Sequence, residues 1–118
     1  MSIGVAKNLG AGAANTSFIA FATPSHSLTT SRNNGSVTSS ELTVNAEGSA
    51  SPTYSFAWIK LSGDEITISN ATGQIVTFSA NGGGDDEFGA IYQCTVTDGA
   101  AAERIVLVNV TFLYLVGT

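Results

Sequence analysis

The sequence predicts an all-β fold, an antiparallel sandwich of about seven to eight strands. Three observations predict it. Short runs of alternating apolar and polar residues recur about every ten residues, separated by turn residues, which is the spacing of a sandwich or barrel. Val, Ile, Thr, Phe and Tyr populate those runs, and such side chains suit a pleated, half-buried surface. No stretch holds a helical period over three turns, and no internal repeat is present.

The elements follow in order. Residues 1–16 are rich in Gly, Ala and Asn; Gly4, Gly10 and Gly12 weaken any helix there. They are expected to form an arm, with the sandwich over 17–118. A first strand covers 17–22 and stops before Pro24. TTSRNNGS (29–36) is expected as a loop, with Asn34-Gly35 a turn signal. A second strand covers 37–46, with Leu42 and Val44 on one face and Glu41, Thr43 and Asn45 on the other. EGSASP (47–52) turns the chain into TYSFAWIKL (53–61), where Tyr54, Phe56 and Trp58 share a face. Ile66 and Ile68 mark a short strand, and QIVTFSA (74–80) a longer one. NGGGDDEFG (81–89) is expected as a loop before AIYQCTVT (90–97), whose Tyr92, Cys94 and Val96 point one way. DGAAAE (98–103) leads into a last strand over 104–116.

A chain of 118 residues fits one domain with a real core. It is 43% hydrophobic and only 11% charged, with a mean hydropathy of +0.24. Lys and Arg number 4 against 9 Asp and Glu, for a net charge of −5. Phosphate neutralisation needs several clustered cations, so nucleic acid is not an expected partner. The same acidity argues against docking on anionic membranes, and no run approaches the length of a membrane helix. The start, MSIGVAKNLGAGAANTS, lacks the apolar core of a secretion signal and is expected to open a complete small protein. So little charge on so much apolar surface points to partner chains covering part of it.

Three residues carry a resemblance. Trp58 and Cys94 stand at close to the separation of the core tryptophan of strand C and the cysteine of strand F in immunoglobulin-like domains, and Tyr92 precedes Cys94 by two, the place of the tyrosine corner. Over roughly 17–116 the chain resembles an immunoglobulin-like β-sandwich. It departs from the antibody pattern where the strand-B cysteine belongs: Leu42 and Val44 stand there, so the inter-sheet disulfide is absent. The resemblance makes Leu42, Val44, Trp58, Tyr92 and Cys94 the core signature. Without the staple the core must hold by burial, for which Trp58, Phe56, Phe78, Tyr92 and Val108 are the main candidates. A fold that is usually stapled, here without its staple, suggests folding in a reducing cytoplasm. Small, acidic, bridge-free domains of this Gly/Ala/Ser/Thr-rich texture resemble those in structural proteins of tailed bacteriophages, on heads or on tails. That likeness implies a virion protein made in the bacterial host cytoplasm.

Catalytic and metal chemistry is thin. His26 lies in the turn-like polar stretch TPSHSLT, and the sequence contains no GxSxG nucleophile motif. Cys94 sits mid-strand on an apolar face, with no base beside it in sequence. Asp85, Asp86 and Glu87 offer hard oxygens in a Gly-rich loop and are the candidate calcium ligands; EF-hand and P-loop spacings are lacking. Asp98 belongs to another loop, expected at the opposite end of the sandwich. N-x-S/T triplets at Asn15, Asn34, Asn70 and Asn109 are expected to carry no glycan without a secretion signal. No cofactor is expected.

In the last strand Val106, Val108, Val110, Phe112 and Tyr114 line one face, and Ile105, Leu107, Leu113 and Leu115 the other. Two apolar faces make Leu113, Tyr114 and Leu115 the expected assembly surface, covered by the arm or by another chain. The expected function is that of a non-enzymatic virion structural protein, decorating a capsid or tail and aiding particle stability or host attachment. Its partners are other virion proteins and further copies of itself. The alternative is an adhesion module binding host-surface glycans, for which Phe88 is the one loop aromatic.

Overall fold

The structure is a computed structural model describing residues 18–116. In chain order its strands are β1 (Ile19–Thr23), β2 (Ser27–Ser31), β3 (Gly35–Thr38), β4 (Leu42–Glu47), β5 (Ser55–Gly63), β6 (Thr67–Ile68), β7 (Ile75–Val76), β8 (Phe78–Gly82), β9 (Glu87–Thr97) and β10 (Glu103–Tyr114). The arm expected over 1–16 lies outside the described residues.

Alternation is longest in the last third of the chain, and the longest strands lie there. β9 and β10 pair antiparallel from Glu103↔Thr97 to Leu113↔Glu87. β5 joins the other side of β9, setting Trp58 opposite Cys94, with a bulge between Lys60 and Ser62. β2 adds to β10 in parallel, from Val110↔Ser27 to Tyr114↔Ser31. This layer therefore runs β2–β10–β9–β5.

The facing layer is built from β1–β4–β7 and β3–β8–β6. These are two halves of one twisted layer. β3 and β4 are separated only by residues 39–41, and β7 and β8 only by Thr77. Ser39 stands at the break: its N–H donates to Phe78 O at 2.8 Å, and its Oγ accepts from Phe78 N at 2.9 Å. A side chain thus replaces one rung of the ladder.

The core lies between the layers. Leu42, Val44, Val76, Phe78 and Ala80 from one side meet Trp58, Tyr92, Cys94, Val96, Val106, Val108, Val110 and Phe112 from the other, all buried. Phe56 is half-buried against them. Each large side chain contributes about 1.5–3 kcal/mol by leaving water. Trp58 meets Phe78 edge-on at 6.0 Å, and Phe78 packs tilted against Tyr92 at 5.0 Å.

Three expectations need correction. The single strand expected over 37–46 is broken by Ser39 into parts that pair with different segments. The loop expected over 29–36 is largely strand, because Ser27, Thr29 and Ser31 alternate with exposed Leu28 and Thr30 along β10. Polar inward residues hid that period. The sandwich is also not wholly antiparallel. The chain changes layers after the cis Thr23–Pro24 bond, and β2 then runs alongside β10.

Candidate functional site

The signature residues come together. Leu42, Val44 and Cys94 are fully buried. Trp58 donates its indole N–H to Gly73 O at 2.9 Å, so its one polar atom is satisfied inside the core. The Cys94 thiol is pushed up to about 11 by burial, which a hydrogen bond with the Ala57 backbone only partly offsets. A thiol held protonated is a small apolar side chain, not a nucleophile.

Tyr92 differs from its expected role. Its hydroxyl donates to Ile66 O at 2.5 Å, far back in the chain, and does not close its own corner. Tyr92 lies well inside β9, too deep to reach the turn that starts the strand. Its phenol ties the first layer to the chain entering β6, and burial raises its pKa.

The three acidic candidates stay apart from other ligands. Asp85, Asp86 and Glu87 are exposed. Asp86 Oδ2 accepts from Gly83 N at 3.1 Å, so it closes its own turn. Glu87 opens β9 opposite Leu113. Among the described residues no three His, Cys, Asp or Glu side chains form a group that could hold a metal ion. His26 is exposed, with Nδ1 3.4 Å from Ser25 Oγ.

Asp98 lies beyond the other end of β9 and carries more structure than its sequence announces. Its buried carboxylate accepts from Ser49 Oγ at 2.5 Å, Ala102 N at 2.9 Å and Ala100 N at 3.0 Å. The Ser49 hydroxyl first, then these two N–H groups and the Arg104 charge, hold its carboxyl below the usual range, against the opposing effect of burial. Asp98-Gly99 is legible as a turn; the partner Ser49, far back in the chain, is not.

The expected assembly surface must be moved. Tyr114 is fully buried, and its hydroxyl donates to Gly35 O at 2.5 Å and lies 3.2 Å from Ala80 O. Leu113 and Leu115 are half-buried, because β2 covers this end of β10: Leu113 stands opposite Thr30, and Leu115 N donates to Ser31 O. Phe88 is likewise half-buried, packed edge-on against Tyr114 at 6.0 Å.

The exposed large apolar residues divide between the layers: Ile19, Phe21 and Ile75 lie in β1–β4–β7, with Glu47 opposite Ile19, and a larger group lies on the outer face of the β2–β10–β9–β5 layer. Leu28, Ile59, Leu61, Ile91, Ile105 and Leu107 are between 39% and 60% exposed. The registers set them in adjoining rows. Ile59, Gln93 and Leu107 form one; Ala57, Thr95 and Ile105 flank it on one side, Ser62, Ile91 and Asn109 on the other; Leu28 follows beside Thr111. No residue in these rows is charged. Glu103 and Glu87 appear only beyond the two ends. A contiguous face of this kind is the signature of an interaction surface.

No family model matches the chain, and no curated protein matches it. Solved structures do. A PKD domain from the KIAA 1837 protein aligns over 79% of this chain and 84% of its own, with a TM-score of 0.51 and 20% identity. PapD-like domain 7 of human CEP192 aligns over 91% and 89%, with a TM-score of 0.55 and 10% identity. At such identities the likeness carries the fold and nothing of the activity. The chain has an immunoglobulin-like β-sandwich fold without an inter-sheet disulfide.

Proposed function

We propose that this chain is a non-catalytic structural module of a tailed-bacteriophage virion, attached to a head or tail and assembled through the outer face of its β2–β10–β9–β5 layer. The observation that carries the assembly part is the uncharged face centred on Ile91, Ile105 and Leu107. Solvated surfaces of sandwich strands are ordinarily polar. A face that keeps branched aliphatics in its central rows is favoured by burial against protein. The bridge-free core and the phage-like texture of the sequence support the virion setting. The chemistry is consistent with it: the one thiol is held protonated, and the one histidine is exposed with its Nδ1 near Ser25 Oγ.

The adhesion reading is weaker for a specific reason. Phe88, expected in a loop, lies in β9 opposite Phe112, because the ladder with β10 runs past it, and it packs its ring against Tyr114 in place of offering a loop platform to a sugar.

Quantitative mass spectrometry of purified particles tests the proposal. The expected result is this chain at a fixed copy ratio to the major head or tail protein. Its absence from particles overturns the virion assignment.

A further inference from the structure

We propose that the outer face of the β2–β10–β9–β5 layer is the interface between two copies of this chain. The inference rests on the assembly reading above and names the occupant of that same face.

Charge selects the occupant. A partner presenting Lys, Arg, Asp or Glu to this face would bury it against Ile59, Ile91, Ile105 and Leu107, with no counter-charge in any row. Removing an ion from water without a partner costs several kcal/mol. The occupant must therefore be uncharged over the same footprint, and this face is itself such a surface. Its polar members suit self-pairing. Gln93 and Asn109 carry both a donor and an acceptor, and Thr95 and Thr111 carry hydroxyls that do both. Each can bond its own counterpart across a twofold axis, where residue i meets j and j meets i.

The net charge is −5, so two chains repel least where charge is missing. The smaller apolar group of the other layer, Ile19, Phe21 and Ile75, has Glu47 in its register, opposite Ile19. Glu103 and Glu87 stand outside the central rows, at the rim, where like charges remain hydrated.

The dimensions suit a weak association. Three strands spaced about 4.8 Å apart, over six residue steps of about 3.4 Å and their ends, give a face of roughly 14 by 24 Å, which β2 extends only beside Thr111, where Leu28 lies. Two copies together then withdraw roughly 700 Å² from water, the size of a transient interface. Sheets pack face to face in this way at about 10 Å, with strands within about 30° of aligned.

Sedimentation equilibrium of the full chain across a wide concentration range tests the inference. The expected mass rises to twice the 12.0 kDa of one chain, and association tightens with added salt as the rim acids are screened. Leu107→Glu, at an exposed central position, is expected to weaken dimerisation by about 10- to 30-fold or more, the effect of losing a central contact. Ile75→Glu, the same change at an exposed position in the other layer, is expected to leave the dimer intact. Unchanged thermal midpoints show that both variants fold. A wild-type chain that stays monomeric at every concentration overturns the inference, as does a dimer unaffected by Leu107→Glu. Particle mass spectrometry separates the two proposals: a solution dimer absent from particles retains the interface and removes the virion role, and a monomer found on particles does the reverse.

Discussion

The hydroxyl of Tyr92 donates to the carbonyl of Ile66 at 2.5 Å, joining β9 to the chain segment that leads into β6 in the facing layer. Both residues are buried. With no disulfide between the layers, directional links across the core fall to hydrogen bonds such as this one and that of Tyr114 with Gly35 O. Tyr92→Phe keeps the ring against Phe78 but leaves the Ile66 carbonyl without that donor. The expected loss of stability is about 1–3 kcal/mol, read by urea denaturation. A variant as stable as the wild type would show that the bond contributes nothing net.

Cys94 is expected to be silent to thiol reagents in the folded chain. Its pKa is raised from 9.0 to about 11, so at neutral pH almost no thiolate forms, and the sulfur is buried. Ellman's reagent should report no thiol in native protein and one per chain in denaturant. The linkage has a sign. The folded state holds this proton more tightly than the unfolded state, so the contribution is complete below pH 9.0 and is lost as pH rises through about 11. Cys94→Ala should flatten that alkaline decline while costing core packing.

Asp98 sets the acid limb. Its folded pKa is lowered from 3.8, chiefly by the Ser49 hydroxyl. Stability from this carboxylate is therefore present above pH 3.8 and lost as pH falls through its lower folded value. Asp98→Asn should be less stable than wild type near neutral pH. It should also lose less between about pH 5 and pH 2, so the two curves converge on acidification. Parallel curves would dissociate the carboxylate from acid unfolding.

Gly63 ends β5 beyond the bulge, at φ +111°. A Cβ there would run into Gly89 O and Ala90 Cα, which are backbone atoms of β9 that no rotamer change can move. Gly63→Ala should cost about 2–4 kcal/mol, summing unfavourable backbone conformation and overpacking. Gly35, also at positive φ, has open space around its missing Cβ, and Gly35→Ala should cost less, only the conformational part.

Part of the candidate site was legible before the structure. The last strand shows two apolar faces in sequence, and one of them, through Ile105 and Leu107, is the exposed face of the fold. The error lay in weighting its C-terminal end. Leu113 and Leu115 look as free as Leu107 until β2 is placed beside them, and Tyr114 looks like an interfacial aromatic until Gly35 and Ala80 are seen to receive its hydroxyl. Ser27, Thr29 and Ser31 concealed β2, because their inward positions are polar and break the apolar alternation that identifies a strand.

By itself the sequence determined which residues of each long strand share a face. Period two is a local property, so spacing put Tyr92, Cys94 and Val96 on one side of their strand; the immunoglobulin-like resemblance then turned that side, with Trp58, toward the core, and the last strand, apolar on both faces, kept its inward side open. The sequence also determined that no disulfide joins the layers, since a lone cysteine has no partner in the chain. Tertiary structure alone decided what the outward residues build. Ile91 and Leu107 come from the neighbouring strands β9 and β10, but Ile59 and Leu28 come from strands far earlier in the chain. Whether such residues lie scattered or in adjoining rows depends on strand order and register. Those are set by contacts between distant segments, which leave no period in the sequence.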